Sequence, residues 1–232
     1  MSDPLPDGSS VVAVSPPPGT AVLTYDDGPN PGVTDRLLPL LADRGATATF
    51  FVLLTRVRTD PGLLHEVLAA GHEIGLHGPD HRRLTSLPAG SLPGRFRDAK
   101  AELEDLAGVS VRWSRPPYGA QHVAAWRAAR DAGLLPVLWS VSCDDWADRP
   151  LDDYLTELRA AEPDGCVVLM HDGYADERDG VDDGPAPTFD KLALTRAVLD
   201  EFDAAGLTGS SLGHALAHGE LELRVWLEGD QP

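Results

Sequence analysis

Short apolar runs rich in β-formers alternate with amphipathic helical stretches along most of this chain, and glycine closes one helix after another. Residues 21–25 read as a strand, and Val33, Leu37, Leu40 and Leu41 then recur at helical spacing over 33–44, stopped by Gly45. The alternation continues with a strand over 46–54, a helix over 61–70 ending at Gly71, and a strand over 72–77. Further helices are predicted over 95–107, 121–132, 151–161 and 188–205, with strands over 109–114, 134–141 and 166–171 between them. Residues 221–227 offer one more strand. Such repetition predicts an α/β fold of parallel strands joined by helical crossovers. Residues 1–19, rich in Pro, Ser and Gly, read as an irregular N-terminal lead-in, and 20–232 as a single domain of ordinary size.

Charge narrows the partners. Lys and Arg number 19 against 37 Asp and Glu, a net charge of −18. Nucleic acid needs clustered cations to neutralise its phosphates, so it is excluded as the expected partner. A neutral or cationic substrate is favoured over an anionic one, although acidity of this kind also serves solubility. No apolar run approaches the ~20 residues of a membrane helix. The first residues have neither the basic stretch nor the apolar core of a secretory signal; the chain reads as cytoplasmic, and as extracellular only if a leader has been trimmed. Two cysteines, Cys143 and Cys166, make no disulfide framework, and neither has a clear adjacent base.

In parallel α/β folds ligands gather at the carboxyl ends of the strands. There stand Asp26 and Asp27, His77, Arg115, Asp144 and Asp145, then His171 and Asp172. Acidic loops chosen for solubility explain the aspartates but neither the histidines nor the arginine. In Thr24-Tyr25-Asp26-Asp27-Gly28-Pro29, alternation along a strand predicts that the two carboxylates point different ways, suiting one to a metal and one to a water. Taken alone, the run is equally a turn with solvated acids. His77 and His81, with Gly78 and Pro79 between them, are spaced to converge on one cation, and with a carboxylate they leave positions open for water and substrate. A lone pair at that spacing also occurs by chance in surface loops. Arg115-Pro116-Pro117-Tyr118-Gly119 is a rigid path holding an arginine suited to a carboxylate, or a Pro-rich turn with an exposed charge. His171 ends an apolar run, placed to protonate a leaving amine with Asp145 as its support. His65, His72, His122, His214 and His218 are assigned to structure or solvent.

In this order the motifs TYDDGP, HxxxH, RPPYG, DDW and LMHD resemble the polysaccharide deacetylases, also called the NodB-homology domain or carbohydrate esterase family 4, over roughly residues 20–208. The resemblance implies a distorted (β/α) barrel with outer helices that removes N-acetyl groups from sugars using one divalent metal ion, zinc or else cobalt, manganese or nickel. It implies Asp27, His77 and His81 as metal ligands, Asp26 as base and Arg115 as the residue that orients it. It further implies the Tyr118 backbone N–H as oxyanion donor, and His171 as the acid tuned by Asp145. Trp146, Tyr118 and Pro117 would contact an N-acetylated carbohydrate. Two positions depart from the family pattern: Gly78 stands where Ser or Thr usually follows the first histidine, and Ser142 where an Asp usually stands. Both leave the ligands and the His171–Asp145 pair in place. A non-sugar amide or cyclic imide hydrolase and a silent carbohydrate-binding domain are the alternatives. The segment 173–187 is either one wall of a substrate groove or a surface excursion.

Overall fold

The computed structural model describes residues 5–15, 19–161 and 164–228. Strands β1 (Ser9–Ser15), β2 (Thr20–Asp26), β3 (Thr49–Leu53), β4 (Glu73–Gly78) and β5 (Trp113–Ser114) are followed by β6 (Leu135–Pro136), β7 (Val141–Ser142), β8 (Val167–His171), β9 (Thr208–Ser210) and β10 (Glu220–Val225). The helices are α1 (Thr34–Asp43), α2 (Leu54–Thr59), α3 (Pro61–Ala69), α4 (Leu92–Ala107), α5 (Val123–Asp131), α6 (Leu151–Tyr154), α7 (Thr156–Ala160), α8 (Lys191–Ala204) and α9 (Leu212–Leu216). The main sheet runs β6-β5-β4-β3-β2-β8-β7, with β9 beside the start of β2, and its pairings are parallel. This is the α/β barrel expected, and its distortion has a definite place.

The segment read as one strand over 134–141 serves both ends of the sheet. Its first part, β6, pairs with β5, and β7 pairs with β8. Between them the Val137 N–H donates to Ser114 and the Ser140 N–H to Val167. The Leu138 N–H turns instead to Val11 of β1 at 2.7 Å. Likewise, only Trp113 and Ser114 of the expected strand 109–114 join the ladder.

The lead-in is not wholly irregular. Its Val11-Val12-Ala13-Val14 run forms β1, antiparallel to β10 and bridged to Val137 and Cys166. Pro, Ser and Gly on either side hide this run in a composition argument, and its main partner lies some 200 residues away. Residues 1–4 and 16–18 of the lead-in lie outside the described residues.

Period-two alternation explains what faces where. Ala21, Leu23 and Tyr25 of β2, Phe50 and Val52 of β3, Ile74 and Leu76 of β4, and Val168 and Met170 of β8 all join the outer core beneath the helices. Val22, Phe51, Trp113 and Val167 occupy the opposite face, where Val11 and Val14 of β1 and Leu212 and Ala215 of α9 pack against them. The same inward phase carries Thr24 and Asp26, His77, Arg115 and His171 to the carboxyl ends of their strands. Helix boundaries follow local chemistry. Asp60 accepts from the Leu63 N–H to start α3, Asp190 accepts from Leu192 and Ala193 to start α8, and Gly108 ends α4. No helix among the described residues is long and apolar enough to cross a membrane.

Candidate active site and metal centre

The inward side chains open on a cleft of about 730 Å³ lined by Asp26, Asp27, His77, His81, Tyr118 and His171. Asp26 and Asp27 both face it, contrary to the alternation argument. Asp27 has left-handed backbone (φ 73°), which breaks the extended geometry and returns its carboxylate to the side of Asp26. The turn beyond is tightly enclosed: a Cβ on Gly28 would lie 2.1 Å from an Asp172 oxygen. Burial pushes the Asp172 carboxyl up to about 7, against the Thr34 hydroxyl that donates to it at 2.5 Å.

Asp27 Oδ1 lies 3.3 Å from His77 Nε2 and 3.3 Å from His81 Nε2, and it is buried without a hydrogen-bond partner among the described residues. One donor atom from each of these three residues falls within 4.8 Å of the others. His77 Nδ1 is 2.8 Å from the Arg115 carbonyl, which can only accept, so Nδ1 carries the proton and Nε2 presents its lone pair. An orphaned carboxylate oxygen between two imidazole nitrogens fits a divalent cation, and two nitrogens with one oxygen suit zinc. Gly78, the first departure from the family pattern, is required by this bend: a Cβ there would lie 2.5 Å from the Asp80 carbonyl oxygen.

Arg115 lies fully buried behind Asp26. Its guanidinium donates to Asp26 Oδ1 and Thr24 Oγ1, each at 2.8 Å, and to the carbonyls of Leu138 (2.9 Å) and Val137 (3.2 Å). The Phe51 ring lies beneath it, 4.2 Å from centroid to guanidinium carbon. The reading of an exposed arginine in a Pro-rich turn is thereby set aside.

His171 Nδ1 is 2.6 Å from Asp145 Oδ1, and its backbone N–H donates to Asp145 Oδ2 at 2.9 Å. Burial, the largest influence, disfavours the charged ring. The charge and hydrogen bond of Asp145, with Asp27 and Asp26 behind, overcome it and raise the imidazole to about 9. Lys191 Nζ, 3.5 Å from Asp145 Oδ2, shares that carboxylate. At the second departure Ser142 Oγ bonds Asp144, and Asp145 is left to His171.

Of the expected substrate contacts, Trp146 lines the cleft and is 53% exposed, and Tyr118 lines it in left-handed backbone (φ 61°). Pro117 does not line it. It is buried in the turn before Tyr118, where its ring sets the backbone path. The motif reading missed Trp139 and Trp226, whose rings pack together at 5.4 Å and also border the cleft, and the acidic residues Asp183 and Glu157. The signal was a lone Trp after an alternating strand in the tail. His65, His72, His122, His214 and His218 do not line the cleft, and buried Cys143 has its thiol raised well above the ordinary range by burial.

Comparison with known proteins agrees with this geometry. The polysaccharide deacetylase family model matches residues 13–137. A peptidoglycan-N-acetylglucosamine deacetylase of Listeria monocytogenes is 36% identical over 65% of this chain, which spans only 32% of that longer protein. A chitooligosaccharide deacetylase of Rhizobium leguminosarum bv. trifolii is also 36% identical, over 65% of this chain and 70% of its own length. In fold, a carbohydrate esterase family 4 pseudoenzyme from Bacillus anthracis superposes with a TM-score of 0.77 at 18% identity, covering 93% of this chain and 72% of that one. The match over more than half of its length, with the motif residues gathered at one cleft, shows that the chain belongs to the polysaccharide deacetylase family.

Proposed function

We propose that this chain hydrolyses the N-acetyl group of an amino sugar in a polysaccharide, oligosaccharide or smaller glycan, with a divalent metal, zinc by preference, at Asp27, His77 and His81. One observation carries the proposal: the Asp26–Arg115 pair, the His171–Asp145 pair and the three-residue donor set all meet at one cleft. Likeness of fold is insufficient, because a family pseudoenzyme shares it.

Bound there, the metal supplies Lewis-acid polarisation of the acetyl carbonyl and makes water more acidic. Asp26, held by Arg115, orients the attacking water and takes its proton. The Tyr118 backbone N–H is assigned to the developing oxyanion, an interaction worth about 3 kcal/mol in comparable sites. His171 gives its proton to the amine as the C–N bond breaks, releasing acetate and a free amino sugar. Trp146, with Trp139 and Trp226, supplies aromatic faces for the sugar and its acetyl methyl. Asp183 and Glu157 at the cleft, with the net charge of −18, favour a neutral or cationic glycan.

The test is acetate release from N-acetylglucosamine monomers and oligomers by zinc-loaded and chelator-treated protein. Zinc-dependent release, lost in His77→Ala together with zinc binding, is the expected result. No release from protein that binds zinc stoichiometrically overturns the sugar reading and favours a non-sugar amide or a silent domain.

A pH prediction follows from His171. An acid must be protonated to act, so activity falls as pH rises through its pKa, placing the alkaline limb of kcat above neutrality. Asp145→Asn removes the main influence raising that pKa, so the limb moves to lower pH. An unmoved limb in that variant separates His171 from the observed ionisation.

A further inference from the structure

His77 has an evident holder for its second ring nitrogen, the Arg115 carbonyl. Among the described residues His81 has none at hydrogen-bond distance: with Nε2 turned to Asp27, its Nδ1 is buried and without a partner. Asp183 Oδ2 lies 3.7 Å from that nitrogen. The same oxygen accepts the Tyr118 hydroxyl at 2.7 Å, and the Tyr118 ring lies 4.4 Å from the His81 ring.

The acidic segment 173–187 brings Asp183 there and is itself firmly braced. Arg56, almost fully buried, pairs with Asp179 at 2.5 Å and donates to the Tyr174 carbonyl at 2.8 Å. Thr55 Oγ1 donates to Asp179 Oδ1 at 2.5 Å, and the Tyr174 hydroxyl donates to the Asp183 carbonyl at 2.8 Å. The backbone N–H of His81 donates to the Asp179 carbonyl at 2.9 Å. One segment therefore reaches His81 twice, at its backbone and beside its ring.

We propose that Asp183 is a positioning residue for the metal site, its carboxylate accepting the Nδ1 proton of His81 and fixing the ring with Nε2 toward Asp27. This rests on the reading of Asp27, His77 and His81 as metal ligands. An imidazole that binds a cation through Nε2 must carry its proton on Nδ1, and a buried N–H without an acceptor is costly. Asp183 is the carboxylate paired with that atom, and a shift of about an ångström brings it to hydrogen-bond distance. The segment 173–187 is thus a brace for the metal site as well as a wall of the cleft.

The experiment measures zinc affinity by chelator competition on the full chain, with thermal melting of the zinc-free proteins alongside. Asp183→Asn and Asp183→Ala are expected to weaken zinc binding by about 10–100-fold, the usual loss when such a partner is removed. Asp183→Glu is expected to recover part of the affinity. Asp182→Asn, which changes net charge equally from the neighbouring position, is expected to bind as wild type. In 15N-histidine spectra of the zinc form, the His81 Nδ1 proton signal present in wild type should be lost or shifted in Asp183→Asn. Wild-type affinity in both Asp183→Asn and Asp183→Ala overturns the proposal while leaving the metal reading intact. Equal weakening in Asp182→Asn reduces the effect to general charge and also overturns it. Failure of the wild-type chain to take up one zinc overturns the metal reading beneath it. Should Asp183→Ala melt early, Asp183→Leu, which keeps the size and removes every acceptor, decides the matter.

Discussion

Asp26→Asn is expected to lower the rate of acetate release by about 10²–10⁴-fold, the usual contribution of a positioned base, with zinc still bound. Asn keeps the shape of Asp and an oxygen for Arg115, but its amide cannot take a proton from water. His77 Nε2 lies 3.9 Å from Asp26 Oδ2, whereas Asp27 Oδ1 lies 3.3 Å from Nε2 of both His77 and His81. The two neighbouring carboxylates should therefore separate cleanly. Asp26→Asn loses turnover but not zinc, and Asp27→Asn loses zinc and turnover together. Zinc titration and kcat measured on the same preparations check this. An Asp26→Asn protein retaining a tenth or more of wild-type kcat would remove Asp26 from the base role.

Arg115→Met is expected to cost about 3–5 kcal/mol of stability, because it leaves a buried carboxylate without its partner. The Asp26 side chain is only 4% exposed, so bulk water screens the stranded charge poorly. The substitution also strands the Val137 and Leu138 carbonyls that accept from the guanidinium. For a chain of this size the cost corresponds to a fall in melting temperature on the order of 10 °C. Adding Asp26→Asn to Arg115→Met should restore part of the loss, since the unpaired charge disappears with its cause. Equal melting temperatures for the wild type and Arg115→Met would show that the pair carries no such energy.

What could be read in the sequence was whatever repeats locally. Leu37 and Leu41 announce α1 by spacing, Gly108 ends α4, and strand ends gather Asp26, His77, Arg115 and His171 where ligands collect. What could not be read depends on partners far along the chain. The run Val11–Val14 becomes β1 because Leu221 and Leu223 of β10 return to it. The extended stretch 134–141 divides because its two halves meet different neighbours, β5 and β8. Asp27 defeated the alternation argument because one left-handed residue changes phase, and nothing in an Asp-Asp-Gly run states which aspartate takes it. Asp183 was hidden among acidic neighbours whose composition is equally that of a solvated loop.

The break between β6 and β7 bears on any redesign of this architecture. A designer repairing the barrel would extend both strands until every carbonyl from Pro136 to Ser140 met a neighbouring N–H. The carbonyls of Val137 and Leu138 would then turn into the ladder and away from the guanidinium, and Arg115 would lose two of its acceptors. The guanidinium would have to leave or be replaced, and with it the alignment of Asp26. Regularity at the seam and a buried guanidinium beneath it are competing uses of the same backbone oxygens. Idealised barrels of this type should therefore gain stability and lose turnover together, unless the seam is left unmended.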